Sequence, residues 1–535
     1  MAEDVVDVLI IGAGASGAAV AWSLADTGMR IVCMEQGDWM NPATYPSNFQ
    51  DWEVHGGETS SASPNHRNRA ADYPINDSES PIAIVNFNAV GGSTILYSAH
   101  FPRFHPSDFR VRTLDGVADD WPIDYFQLEP FFAQNDRNMG VSGLTGDPAI
   151  PEHQPPLPPI PMGKMGETIA RGFNKLGWHW WPSDSAIITE PYQGRGQCLN
   201  LGPCNTGCAQ GAKSSVDIAY WPVAQRMGVE VRPNCRVNQV TVDENDMATG
   251  VEYWDGNGIL QHQRAEVVIM ACNGVGTPRL LLHSQSARFP NGLANRSGLV
   301  GKNLMLHPWG HAAGIFPEPL DSHVGPQGCC LLSQEFYETD TSRGFVRGYN
   351  LQITRGSPPV ATARNGVASG TIPWGAAHHD EFEKRYGRSI SIGVCAEDLP
   401  EEHNRVVLDD ERCDSNGIPA PKIIYRTSEN SLNMLAHGTA RAAEALHAAG
   451  AIEVHETNYP IRYAGWHLLG TARMGSDPEQ SVVNEWGRSH DVRNLFIVDG
   501  SVFVTSGGVN PTTTIQAVAL YIADAMKQRL ATLFD

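Results

Sequence analysis

Val5-Val6-Asp7-Val8-Leu9-Ile10-Ile11-Gly12-Ala13-Gly14-Ala15-Ser16-Gly17 decides how the rest of the chain is read. A β-branched and leucine run leads into glycines at 12, 14 and 17, and residues 18–24 predict a helix. Ile31–Met34 predicts a second short apolar strand, which ends on Glu35. Strand, glycine turn, helix, strand and acid make a dinucleotide-binding βαβ unit. Gly12 permits the tight turn, Gly14 lets the backbone approach a pyrophosphate, and Gly17 lets the helix lie against the strand. The helix amino end then faces the phosphates. Glu35, 18 residues beyond Gly17, is placed to accept hydrogen bonds from a ribose diol.

The same stretch contains 18 uncharged residues, 8–25, long enough to raise a membrane span or an export signal. Glu3, Asp4 and Asp7 stand where a signal carries lysine or arginine, and three glycines at dinucleotide spacing make a poor apolar helix. No other uncharged run is long enough to span a bilayer. No export signal is visible at the amino terminus, so the cytoplasm is the default expectation. Co-export with a signal-bearing partner is compatible with the same sequence.

The chain has 535 residues, too many for one ordinary core, so two or three substructures are expected. Its net charge of -21 repels polyphosphates and anionic lipid, which excludes nucleic acid as a natural partner. Ten cysteines are too few and too scattered for a disulfide scaffold. Cys33, Cys272 and Cys395 lie in apolar runs and read as buried thiols.

Residues 41–73 are polar and rich in proline, serine and asparagine, and predict loop. Gly91-Gly92-Ser93 follows, a small-residue turn that suits a backbone passing against a flat ligand, with an ordinary tight turn as the alternative. Six prolines within residues 151–161 predict a stiff surface connection and a domain boundary. Cys198, Cys204 and Cys208 fall within eleven residues, a spacing open to iron–sulfur ligation, to one disulfide or to free thiols. The lack of a fourth nearby cysteine argues against a four-thiolate site.

Strands are expected at 229–232, 237–242 and 250–253, with Val237 counted among the cofactor-binding residues. Residues 266–272 form a continuous apolar strand suited to a buried parallel position, followed by a helix from Arg279. Residues 311–455 alternate over short segments as an antiparallel layer, and 428–449 are its clearest helix. Near the carboxy terminus His467 is a candidate base. Asp499 and Gly500 end a strand beside a helix that opens after Asn510-Pro511-Thr512 and runs over 515–530. That junction is a second place to hold pyrophosphate or ribityl groups.

Four blocks together carry a family resemblance: Gly12 to Glu35, Ala89 to Ser93, Gly274 to Ser284, and His467 through the final helix. The chain resembles the glucose–methanol–choline oxidoreductases, flavoenzymes that use FAD. The resemblance implies an α/β fold, α+β overall, with a Rossmann-like FAD-binding domain and a second, mainly antiparallel-sheet substrate-binding domain. The first would take residues 1–105, 195–310 and 456–535, the second 106–194 and 311–455. It implies that His467 accepts the substrate hydroxyl proton, that hydride passes to flavin N5, and that Asn510 holds the substrate oxygen. Gly12, Gly14, Gly17, Glu35, Gly91, Gly92, Ser93, Val237, Asp499, Gly500, Pro511 and Thr512 would hold the flavin. No histidine occurs at residues 94–97, so noncovalent FAD is expected.

The cysteine loop is similar to that of the sugar dehydrogenase branch, where three cysteines hold a [3Fe–4S] cluster. Gln197 stands where that branch often has an adjacent second cysteine. The expected substrate is an alcohol group on a sugar, glycoside or other polyol, in a pocket lined by Trp466, Tyr97 and Trp374. The electron acceptor would be oxygen, a quinone or a redox protein, with room for a partner subunit. Two alternatives stand beside it. A hydrophobic alcohol or sterol would call for an extended apolar run in 311–455, which is not there. A non-catalytic flavin electron-transfer subunit would have no use for His467 and Asn510 together.

Overall fold

A computed structural model of the protein describes residues 4–55, 61–67 and 69–529. Its centre is the Val5–Ile11 strand, whose β-branched side chains are buried over most of the strand. It pairs in parallel with Ile31–Met34 on one side and with Leu260–Met270 on the other. Glu230–Arg232 closes one edge; Ala248–Trp254 and Arg236–Val242 extend the other as antiparallel strands. Leu495–Ile497 lies parallel to the end of Leu260–Met270, so the last apolar strand returns beside the first. The buried end of Leu260–Met270, over residues 267–270, thus has a parallel neighbour on each side, as its apolar run requires.

The Ala15–Leu24 helix packs against this sheet and against the Thr512–Gln528 helix within one hydrophobic cluster. Its small residues let the backbones approach closely. A second sheet of six antiparallel strands runs in the order Glu453–Thr457, Trp309–Ile315, Ser389–Ala396, Tyr349–Thr354, Cys329–Ser333 and Trp181–Pro182. The helices Gly163–Leu176 and Glu429–Ala449 cover it and share its core. Ser428 caps the longer one by accepting from the Ser431 N–H, and Gly450, at φ 104°, ends it. A small sheet joins Asn76–Glu79, Pro419–Ile424 and Arg405–Cys413.

The fold is thus α/β with a sheet-rich second region. Several local expectations shift. The helix expected from Arg279 begins at Asn273, because Asn273 Oδ1 accepts the N–H groups of Val275 and Gly276 and caps it earlier. The final helix begins at Thr512 rather than Ile515, since the Ile515 N–H already bonds the Pro511 carbonyl. The proline-rich segment is not a free connection: His153, Leu157 and Ile160 are buried, and the Leu157 N–H donates to the Val141 carbonyl. Residues 41–55 include short helical turns; residues 56–60 and 68 of the expected loop lie outside the described residues. Among the described residues no helix is long and apolar enough to cross a membrane.

A buried ionic network ties the second sheet to the 108–115 segment and to the loop after Leu495–Ile497. Arg347 donates to Asp108, to Glu397 Oε2 at 3.0 Å and to Asp115 Oδ2 at 3.1 Å. Burial alone would push Glu397 and Asp108 toward the neutral acid, and the guanidinium opposes this. Tyr337 donates its hydroxyl to Asp108 at 2.7 Å and accepts the Gly508 N–H at 3.0 Å. The loop that carries Asn510 therefore hangs from this network.

Candidate active site

A cavity of about 570 Å³ runs from the glycine turn to the second sheet. Gly12 sits at φ +103°, and a Cβ there would meet the Ala271 carbonyl oxygen at 2.5 Å. A Cβ on Gly17 would stand 2.0 Å from the Gly12 carbonyl oxygen, so helix and turn meet backbone to backbone. Gly14, by contrast, has only the Gly92 Cα, at 3.9 Å, near its would-be Cβ and faces the cavity. The Ala13 and Gly37 N–H groups donate to the two carboxylate oxygens of Glu35, both at 2.9 Å. Burial pushes Glu35 up to about 7, and those amides oppose the shift. Glu35 lines the cavity at the end of its strand.

Gly91 and Gly92 take φ of +109° and +55°, and the Gly91 N–H donates to the Ala13 carbonyl at 3.0 Å. Two glycine turns distant in sequence are thereby held face to face. Gly92 and Ser93 line the cavity, while Gly17 and Gly91 stand behind its wall. Asp499 Oδ2 accepts from the Asn273 N–H at 3.1 Å and the Thr277 hydroxyl at 2.6 Å, and Oδ1 accepts from the Ser501 N–H at 2.9 Å. It fastens two helix starts to the sheet beside Gly500, Pro511 and Thr512, which also line the cavity, as does Val237. The uncrowded Gly14, an acid at the second strand end and the Thr512 helix start fit a dinucleotide laid along the sheet.

His467 and Asn510, 43 residues apart, meet at the far end of the cavity. Asn510 Nδ2 lies 3.3 Å from His467 Nε2. Asn510 Oδ1 accepts from Gln352 Nε2 at 2.6 Å and from His100 Nδ1 at 2.8 Å. On its other side His467 Nδ1 is 2.8 Å from His307 Nδ1, and His307 Nε2 is 2.6 Å from the Gly507 carbonyl oxygen. Burial holds His467 well below the ordinary histidine value, reinforced by His307 and His100. His100 and His307 are each pushed down to about 4 by burial. All three rings are neutral at neutral pH. Sequence reasoning missed His100, His307 and Gln352; only His100, seven residues after Ser93, stands near a recognised motif. Trp466 and Tyr97 line the cavity, but Trp374 does not: it is 89% exposed on the surface.

The three cysteines converge on a small cleft beside Lys213. All three are free thiols, so the disulfide alternative is not formed. Each sulfur accepts a backbone N–H: Cys198 from Asn200 at 3.4 Å, Cys204 from Gln327 at 3.3 Å and Cys208 from Lys213 at 3.5 Å. Lys213 Nζ donates to the carbonyls of Ile95, Tyr97 and Cys204, and burial brings it down to about 8. Asn205 of this loop, and Gln327, whose N–H donates to Cys204, line the main cavity.

A dinucleotide cleft that ends on a buried neutral histidine and a carboxamide defines a nucleotide-dependent oxidoreductase. Comparison with known proteins places it further. Family profiles for GMC oxidoreductases match residues 162–309 and 400–519. The chain is 40% identical to 2-methyl-1,2-propanediol dehydrogenase of Mycolicibacterium austroafricanum, over 99% of this chain and 97% of that one. It is 29% identical to the fructose dehydrogenase large subunit of Gluconobacter japonicus, over 97% of each. Among solved structures, pyridoxine 4-oxidase from Mesorbium loti superposes with a TM-score of 0.65 at 16% identity, covering 98% of this chain and 99% of that chain. The chain belongs to the GMC oxidoreductase family and is an FAD-dependent enzyme acting on CH–OH groups.

Proposed function

We propose that the enzyme oxidises an alcohol carbon of a small polyhydroxyl compound (a sugar, glycoside or other polyol), with His467 as the base. The observation that carries this reading is His467 Nε2, 3.3 Å from Asn510 Nδ2, on the wall of the cavity that begins at the glycine turn. A neutral His467 keeps a lone pair for a substrate proton. A hydroxyl seated between the two side chains gives its proton to Nε2 and accepts from the Asn510 amide. That amide then steadies the charge that develops on oxygen. Bound FAD supplies the hydride acceptor. Gln352, Thr354 and Arg355 add polar groups to the same wall, which supports a substrate with further hydroxyls. The relative named for 2-methyl-1,2-propanediol acts on such a compound by its name. FAD is held noncovalently, since residues 94–97 offer no histidine.

Cys198, Cys204 and Cys208 would hold a [3Fe–4S] cluster. Each sulfur has a backbone N–H donor that a cluster thiolate would keep, and those at Cys198 and Cys204 oppose the burial that pushes these two thiols up. Such a cluster supplies one-electron storage beside the cavity, for an acceptor that includes a quinone or a partner redox subunit. The relative named as a large subunit supports the second.

The test is an anaerobic absorbance spectrum during addition of sugars, diols and simple alcohols. Bleaching of the flavin by a polyol, and loss of kcat by ~10²-fold or more in His467→Gln with FAD retained, is expected. Bleaching by simple alcohols alone would overturn the substrate class. Near-normal turnover in the variant would overturn the base.

A further inference from the structure

We infer that His307 is a positioning residue that fixes the tautomer of His467, with the Gly507 carbonyl as the anchor; this rests on His467 being the base. A count of protons leads there. A carbonyl oxygen has none to give, so His307 Nε2, 2.6 Å from Gly507 O, carries the hydrogen. A neutral His307 protonated at Nε2 has a bare lone pair at Nδ1. That nitrogen lies 2.8 Å from His467 Nδ1, and two ring nitrogens at that distance hold a single proton between them. The proton therefore belongs to His467 Nδ1. His467 Nε2 is left unprotonated, facing the Asn510 N–H and the cavity. An unconstrained neutral histidine side chain favours the Nε2–H tautomer, so this one has to be held.

The surroundings hold it at both ends. The Leu306 N–H, one residue before His307, donates to Asp398 Oδ2 at 3.0 Å. Ser506, one residue before Gly507, accepts the Asp398 N–H at 2.9 Å and donates to the Asp398 carbonyl at 2.8 Å. Histidine and carbonyl thus hang from one aspartate. The rings meet nearly edge to face, at 85° with centroids 4.8 Å apart. The titratable neighbours of the pair are His100 across Asn510, the Cys395 thiol, and Asp398 behind Leu306. Among the described residues no carboxylate hydrogen-bonds either ring. When His467 takes the substrate proton, the new charge is met by the His307 Nδ1 lone pair instead of an acid. Burial keeps both rings neutral at rest, which the proton count requires.

The experiment compares the holoenzyme with His307→Leu and His307→Asn. Asparagine keeps an oxygen acceptor for the His467 Nδ1–H, and leucine does not. A wrong tautomer in a catalytic triad costs about 10⁴ in kcat. The expected result for leucine is a loss on the order of 10²-fold in kcat with KM and FAD content near wild type, largely rescued by asparagine. ¹⁵N resonances of histidine-labelled wild-type enzyme should show His467 as the neutral Nδ1–H form. Wild-type kcat in His307→Leu, no rescue by asparagine, or a wild-type His467 protonated at Nε2 would overturn the inference. If the leucine variant does not fold, the wild-type resonances still decide. Inactive His467→Gln beside active His307→Leu removes the positioning role of His307 and spares the base; active His467→Gln removes the base itself.

Discussion

Gln352 donates its side-chain amide to Asn510 Oδ1 across 2.6 Å, and this bond settles which way the Asn510 carboxamide faces. With His100 on the same oxygen, Nδ2 has only the His467 side to serve. Gln352→Leu leaves the carboxamide free to turn. The expected cost is about tenfold in kcat, the worth of roughly one hydrogen bond, with FAD content unchanged. An unaltered kcat would show that His100 alone orients Asn510.

Gly17→Ala tests the backbone contact beneath the cofactor. Its Cβ would lie 2.0 Å from the Gly12 carbonyl oxygen, so the helix must move off the turn. Overpacking of this kind costs about 1–3 kcal/mol. The purified variant should have a lower melting temperature and a lower ratio of flavin to protein absorbance. Gly14→Ala, where the would-be Cβ has open space, should lose flavin while the apoprotein melts normally.

The histidine shifts give a signed pH dependence. As the proposed base, His467 would be competent only when deprotonated, and its value is lowered, so kcat/KM should stay level through neutral pH and fall only well below 6.5. For stability the direction is the same. His307, at about 4 in the fold, contributes stability that is fully present above the unfolded value of 6.5 and is lost as pH falls toward 4. The melting temperature of wild type should therefore drop relative to His307→Asn over that interval. A constant gap between the two would contradict the shift.

The cysteine cleft is checked by composition rather than rate. Protein purified without oxygen should contain iron and acid-labile sulfide in fixed proportion to flavin, and Cys204→Ser should lose both while keeping FAD. Iron-free wild-type protein would reduce the site to three thiols.

Much of the nucleotide half was legible because its signals are local. Strand, glycine turn and helix lie within residues 5–24, and their physics depends on neighbours in sequence. His467 and Asn510 were found by motif, and the fold brings them together. His307, His100 and Gln352 were not legible. Each is a lone polar residue whose partner is set by how distant segments pack, as Gln352 meets Asn510 only because the Tyr349–Thr354 strand runs beneath the Gly507 loop. Trp374 failed for the converse reason: an aromatic side chain says nothing about which surface it occupies.

The cavity walls include Gly12 near one end of the chain and Thr512 near the other. During synthesis, the first glycine turn leaves the ribosome hundreds of residues before the last wall exists. The cofactor can be enclosed only after Asn510, Pro511 and Thr512 have been made and seated. Flavin loading is then a late step in biogenesis, and a shortage of FAD in the cell would leave finished, sheet-complete chains waiting with an open cleft.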